Sequence, residues 1–288
     1  MKKYLIACIA ATVATPAIAD FSANITLDRV SYEEKTENSY YYNDYSSSHT
    51  DREDYYITSL NGKFYLDAVS TDSVPLREAG FLSKNTVFEV NNLRRKVVDR
   101  TRDCYSYCYE GNIDKESWQE FSGHTVINNF VLGGKFTQAG KYADIYSINA
   151  GYYITDSSRI NIEIGKVQLT HNWPGSDEKI TRAIDYRHVF SFGEQAASIE
   201  VNYETYGYGE WDSGVEANYY FTPLISIALE GVRTKDHDEN DTTTDFLLSG
   251  HYYPIETIGF SLGFGKIDHF NERTKKSNAL ALGLAFNF

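Results

Sequence analysis

The side chains in this chain that could do chemistry are scattered, and the pattern of scatter is informative. The histidines, His49, His124, His171, His188, His237, His251 and His269, fall in no H-E-x-x-H or related ligand spacing. The one G-x-S-x-G string, Gly259-Phe260-Ser261-Leu262-Gly263, lies inside an alternating strand pattern and not at a strand-to-helix elbow, and no P-loop or G-x-G-x-x-G occurs. The glycines of Leu262-Gly263-Phe264-Gly265 alternate with bulky residues and read as the small face of a strand, not as a phosphate cradle. Cys104 and Cys108 form a C-x-x-x-C pair. Two thiolates with no nearby histidine do not complete a tetrahedral zinc set, so no metal is expected. In an oxidising compartment the pair is expected to close as a disulfide that staples its loop. What remains is electrostatic: Glu163, Asp185, Glu200, Glu204, Glu216, Glu230 and Asp245, with Arg159 and Arg187, recur at alternating positions beside large apolar residues.

Those alternating positions define the elements that carry the charges. From Asn278 onward Leu280, Leu282, Leu284, Phe286 and Phe288 fall on one face, and Ala279, Ala281, Gly283, Ala285 and Asn287 on the other. Period-two alternation is the mark of a strand with one apolar face. It recurs in Ile258–Gly265, Asp245–Tyr252, Ile225–Glu230, Ala197–Tyr203 and Ile160–Gly165. In each, the bulky residues share one face and the small or charged residues share the other.

Turns repeat as well. Gly151-Tyr-Tyr-Ile-Thr-Asp, Asn218-Tyr-Tyr-Phe-Thr-Pro and His251-Tyr-Tyr-Pro-Ile-Glu each put an aromatic pair before a tight turn. Strand ends expected near Tyr152, Tyr186, Tyr219, Tyr252 and Phe286 are spaced 34, 33, 33 and 34 residues apart, one hairpin and one loop per period. Stepping back one period predicts a strand end near Phe121 with Ser122-Gly123-His124 as its turn. Longer polar connections are expected at 33–54, 99–115, 170–179, 206–211, 234–242 and 269–277. Further strands are expected at 22–32, 55–68 and 81–98. The count is fourteen, with twelve or sixteen as alternatives because 113–142 is hard to divide.

Lys2 and Lys3, the apolar run Tyr4–Thr15 and Ala17-Ile18-Ala19 have the form of a secretory signal peptide, so residues 1–19 are set apart from the fold. Leu5-Ile6-Ala7-Cys8 has lipobox form but would leave only seven residues before its cleavage point. The formal charge of −13 becomes −15 once Lys2 and Lys3 are removed. Such a surface is a poor partner for nucleic acid. Aromatic residues make up 15% of the chain, and after residue 19 no apolar run is long enough for a membrane helix. Alternating strands, short turns on one side and long polar loops on the other point to an all-β transmembrane antiparallel up-and-down barrel over 20–288. Such a barrel must close, because unpaired backbone groups cannot face lipid. By the alternation, the seven acids and two arginines line its interior, where an acidic wall attracts cations. Ordinary solvated charges at the rims are the alternative.

The segment Y-L-D-A-V-S-T-D-S-V-P-L-R-E-A-G-F-L, residues 65–82, resembles the general bacterial porins through Pro75, Leu76, Glu78, Ala79, Phe81 and Leu82. The resemblance implies an outer-membrane barrel, reached by way of the periplasm of a Gram-negative cell, that conducts small solutes and needs no cofactor. Its partners would be outer-membrane lipid, small hydrophilic solutes or cations, and the barrel-assembly machinery, whose sorting signal resembles the strand end at Phe288. The resemblance carries no catalytic residues, and the Cys104–Cys108 pair is outside its pattern. The expectation is a non-enzymatic, cation-preferring porin-like channel. The alternative is a non-conducting surface barrel that binds a partner through its loops, as adhesins and receptors do.

Overall fold

The computed structural model describes residues 20–42, 45–71, 74–102, 115–139, 143–169, 179–193, 195–207, 209–235, 242–269 and 276–288. The proposed signal segment 1–19 and the Cys104–Cys108 pair lie outside the described residues. Fourteen strands run in chain order: β1 (Asp20–Tyr42), β2 (Tyr45–Ser70), β3 (Val87–Arg102), β4 (Lys115–Ile127), β5 (Phe130–Ala139), β6 (Ala143–Thr155), β7 (Ser158–Leu169), β8 (Lys179–Phe192), β9 (Gln195–Gly207), β10 (Glu210–Thr222), β11 (Ile225–Lys235), β12 (Thr242–Ile255), β13 (Ile258–His269) and β14 (Lys276–Asn287). Among the described residues one helix, α1 (Leu76–Leu82), lies between β2 and β3.

Each strand pairs antiparallel with its neighbours in sequence, and β1 pairs with β14 from Asn24↔Asn287 to Lys35↔Lys276. The barrel is therefore closed, and at the seam the backbone of Phe288 exchanges hydrogen bonds with Ser22 and Ala23. The bulky faces point outward. Phe64, Leu66, Phe130, Leu132, Ile148, Ile162, Ile164, Phe264 and Leu282 are all about half exposed or more. In water a continuous belt of this size would be strongly unfavourable; against hydrocarbon it is at home. The chain is thus a transmembrane barrel. No helix among the described residues is long and apolar enough to cross a membrane.

The strand number agrees with the sequence reading, but four boundaries do not. Ser122-Gly123-His124 is no turn: it lies inside β4, and Gly123 pairs with Gly134 of β5. The real turn is Asn128-Asn129, with Asn128 at φ 57, a left-handed conformation that asparagine tolerates. β8 does not end at Tyr186 but continues to Phe192. Most of the expected loop 33–54 is strand, with β1 and β2 paired out to Tyr42↔Tyr45. Its run of Tyr, Thr and Ser suits extended backbone as well as it suits a loop. Pairing with β14 reaches Lys35 and pairing with β3 reaches Asp51; beyond them, among the described residues, the two strands of the hairpin pair with each other. Finally, the expected strand 81–98 begins only at Val87, and Phe81 and Leu82 belong to α1.

Candidate functional site

The site is the barrel interior and the segment folded into it. Between Thr71 and Thr86 the chain leaves β2, turns into α1 and enters β3. Pro75 supplies the extended residue ahead of the helix, and Glu78 puts an acid in the first turn. Lys84 ends the helix in the left-handed region, at φ 53. A glycine would take that conformation more easily, but the lysine ammonium reaches Asn129 at 3.3 Å and Asp156 at 2.7 Å. The helix exit is thereby tied to two neighbouring turns. The hydrogen bond and charge of Lys84 hold the exposed Asp156 carboxyl below its usual range.

Only seven residues long, α1 would not persist alone. The barrel wall holds it. Leu76, Glu78, Ala79 and Phe81 are buried. The Glu78 carboxylate has no solvent exposure. Arg187 of β8 donates to its Oε2 at 2.7 Å, Ser198 of β9 to its Oε1 at 2.8 Å, and Tyr220 of β10 also donates to Oε1. Burial works against the charge, but Arg187 and the hydrogen bonds from Tyr220 and Ser198 outweigh it and hold the carboxyl below the ordinary glutamate range. One residue earlier, Arg77 donates to Asn218 and lies 3.3 Å from Glu216, both on β10. Phe81 packs among Val131, Tyr153 and Val189, and the Tyr153 hydroxyl donates to its carbonyl at 3.0 Å. The Arg187 guanidinium lies 4.9 Å from the Phe81 ring centroid, within cation–π range. The helix thus docks on the wall from β5 to β10.

The repeated aromatic pairs divide between two tasks. Tyr152 and Tyr252 point outward and are 41% and 52% exposed; the residues after them, Tyr153 and Tyr253, point inward and are buried, as is Tyr220. Each tight turn expected after an aromatic pair thus follows an outward first member and an inward second one. Tyr153 and Tyr220 receive α1, whereas the Tyr253 ring lies over Gly259. The porin-like motif is the same helix. Pro75, Leu76, Glu78, Ala79 and Phe81, read from the sequence as a turn leading into a strand, are the buried residues of the docked segment.

Each residue singled out by alternation can now be placed. Glu163, Asp185, Arg187, Glu200, Glu204, Glu216, Glu230 and Asp245 lie on the inward faces of β7 to β12, opposite outward residues such as Ile162, Ile184, Val201, Val215, Leu229 and Phe246. They do not form one cluster. Arg187 joins Glu78 and Glu200, the latter at 3.1 Å. Arg159 reaches Asp185 at 3.9 Å, and Lys135 reaches Glu163 at 2.8 Å. The alternation overlooked interior bases on strands it did not resolve: Lys63, which pairs with Glu89 at 3.3 Å, and Lys135. It also overlooked Arg77, because a helix has no period of two. The interior acids Asp28, Glu78 and Glu89 were overlooked with them, so these bases do not reduce the excess of acid. Asp28, Glu204 and Glu230 have no ion pair within 4 Å among the described residues. No group of three or more His, Cys, Asp or Glu able to hold a metal is found among them.

Between α1 and the opposite wall remains an open cavity of about 480 Å³. Asn24, Thr26 and Asp28 of β1, Asn61, Lys63 and Tyr65 of β2, and Ser261 and Ala285 of β13 and β14 line it, with Arg77 and Glu216 on the helix side.

No family model matches the chain, and no curated protein matches it. Among solved structures, the fold is similar to that of the outer-membrane protein Omp33 of Acinetobacter baumannii, with a TM-score of 0.63 and 12% identity over 94% of this chain and 99% of that one. It is also similar to OprB of Pseudomonas putida in its high-pH structure, with a TM-score of 0.50 and 7% identity over 93% and 94% of the two chains. At these identities the likeness is one of fold, and the fold is that of an outer-membrane barrel.

Proposed function

We propose that this protein is an outer-membrane channel for passive diffusion of small hydrophilic solutes, with a preference for cations. The observation that carries the reading is a closed fourteen-strand barrel with an interior that is polar, charged and hollow beside the docked helix. Eight strands are just filled by their own side chains, whereas a larger barrel encloses space. The bases Lys63, Arg77, Lys135, Arg159 and Arg187 each meet a carboxylate and are neutralised locally. Asp28, Glu204 and Glu230 are left to set the sign of the potential felt by a passing ion. Docked α1 narrows the bore, and its displacement widens it.

The test is single-channel recording of the refolded protein in a planar bilayer under a potassium chloride gradient. Stable conductance with a cation-selective reversal potential is expected. Conductance with no selectivity removes the cation preference, and a folded barrel that never conducts removes the channel.

The tip of the β1–β2 hairpin favours a second reading, a surface barrel that holds a partner. Its strand edges, which have no further partner among the described residues, are a template for strand addition. Deleting residues 36–50 distinguishes the two: a channel keeps its conductance, and a receptor loses its partner.

A further inference from the structure

Docked α1 covers one side of the interior only, and the composition of the other side is unusual. The inward residues of β13 and β14 are Gly259, Ser261, Gly263, Gly265, Ala279 and Ala281, continuing to Gly283 and Ala285. No side chain in that wall is large enough to reach across the bore. The helix meanwhile is held by β5 to β10, through Phe81, Glu78 and Arg77. Tyr253 lies over Gly259 and Leu247 over Gly263 and Gly265, so the open space is left at Ser261 and Ala285 on one flank and bounded by α1 on the other.

Of the carboxylates that line that space, Glu78, Glu89, Glu200 and Glu216 are each in an ion pair, and Asp28 is not. Asp28 of β1 pairs with Gly283 of β14, which pairs in turn with Ser261 of β13 and that with His251 of β12. The Asp28 Oδ1 atom lies where a side chain at position 283 would begin, 2.0 Å from the ideal Cβ site, and the Ser261 hydroxyl is 2.2 Å from the same point. Glycine at 283 therefore makes the notch in which the carboxylate rests. Among the described residues Asp28 has no cation within ion-pair distance. Arg77 acts on it electrostatically from across the cavity but is itself engaged by Glu216 and Asn218.

We propose, on the basis of the channel reading above, that the solute path runs off the barrel axis, between α1 and the wall made by β13, β14 and β1, and that Asp28 is the residue that selects cations along it. The solutes are small cations with their charge exposed. They pass Asp28 on one side and the already neutralised Arg77 on the other. Arg187, Glu200 and Glu216 of the β8–β10 wall also border the path, but each is held in an ion pair on the helix side.

Two variants test this in planar bilayers, each first checked for folding by heat-shifted migration in detergent gels. Asp28→Asn preserves shape and removes the charge. A unit charge at about 4 Å in water raises local cation occupancy about fivefold and lowers anion occupancy about fivefold, so the ratio of potassium to chloride permeability is expected to fall by about 25-fold. Ser261→Cys places a thiol on the path, and a cationic thiosulfonate reagent is expected to cut its conductance at least by about half while leaving the wild type unchanged. If Asp28→Asn conducts with the wild-type permeability ratio, Asp28 is not the selecting residue. If modified Ser261→Cys conducts as before, the path lies elsewhere. Both of those results leave the channel standing, whereas a folded wild type that never conducts overturns the channel and this path with it.

Discussion

Replacing Glu78 with glutamine keeps the side chain's size and removes its charge at the point where α1 is held most tightly. Three donors converge on this carboxylate, from Arg187, Ser198 and Tyr220, and none of it is exposed. Breaking a buried ion pair by removing one partner costs about 3–5 kcal/mol. Arg187 retains Glu200 at 3.1 Å, so the cost is set near the lower end, about 3 kcal/mol. It falls on docking and not on the barrel, because the fourteen-strand ladder closes without α1. At about 1.4 kcal/mol per factor of ten, the undocked population rises about a hundredfold. In single-channel records the time spent in the larger of two conductance levels should rise by that factor, with barrel melting unchanged. If folded E78Q has the same conductance and the same level occupancy as the wild type, Glu78 does not hold the segment in place.

Acidification should release the same contact. The docked Glu78 carboxyl titrates below the ordinary value of 4.5, so docking is fully stabilised above that value and loses its stabilisation as pH falls through the lowered one. Level occupancy should be flat from pH 8 to 5 and rise only in stronger acid, and the rise should be absent in E78Q. Phe81→Ala removes a ring buried among Val131, Tyr153 and Val189 and should cost docking about 3 kcal/mol, raising conductance events without lowering barrel melting. Gly133→Val should act in the opposite way. A Cβ there would meet the Gly123 carbonyl at 2.5 Å, so the β4–β5 pairing must shift and barrel melting should fall, by about 1–3 kcal/mol of stability. Deleting Phe288 removes the seam contacts to Ser22 and Ala23 and, with them, the proposed assembly signal. Surface levels should drop, and normal levels would refute that role.

Sequence alone determined the barrel, because a strand with lipid on one face and water on the other must alternate, and that period survives in Leu280–Phe288 and Ile258–Gly265 without any tertiary information. The same period placed Glu163, Glu200, Glu216 and Glu230 on the inward face, since direction on a strand follows from parity. It failed where local chemistry is ambiguous. Gly123 has the look of a turn residue, yet it sits in mid-strand where β4 and β5 run close together, and the asparagine pair five residues on makes the turn. The division of Tyr152-Tyr153 into a lipid-facing and an inward member was implicit in parity, but what the inward tyrosines are for was not. That depends on α1, whose residues meet partners 72 to 142 positions away in the chain. Only the closed barrel brings Arg187, Ser198 and Tyr220 around Glu78, because those three belong to adjacent strands and converge on one point through the curvature of the wall. The docked helix and the one-sided path beside it are therefore decisions of tertiary structure: seven residues too short to hold a helix by themselves take their conformation from the cavity they enter.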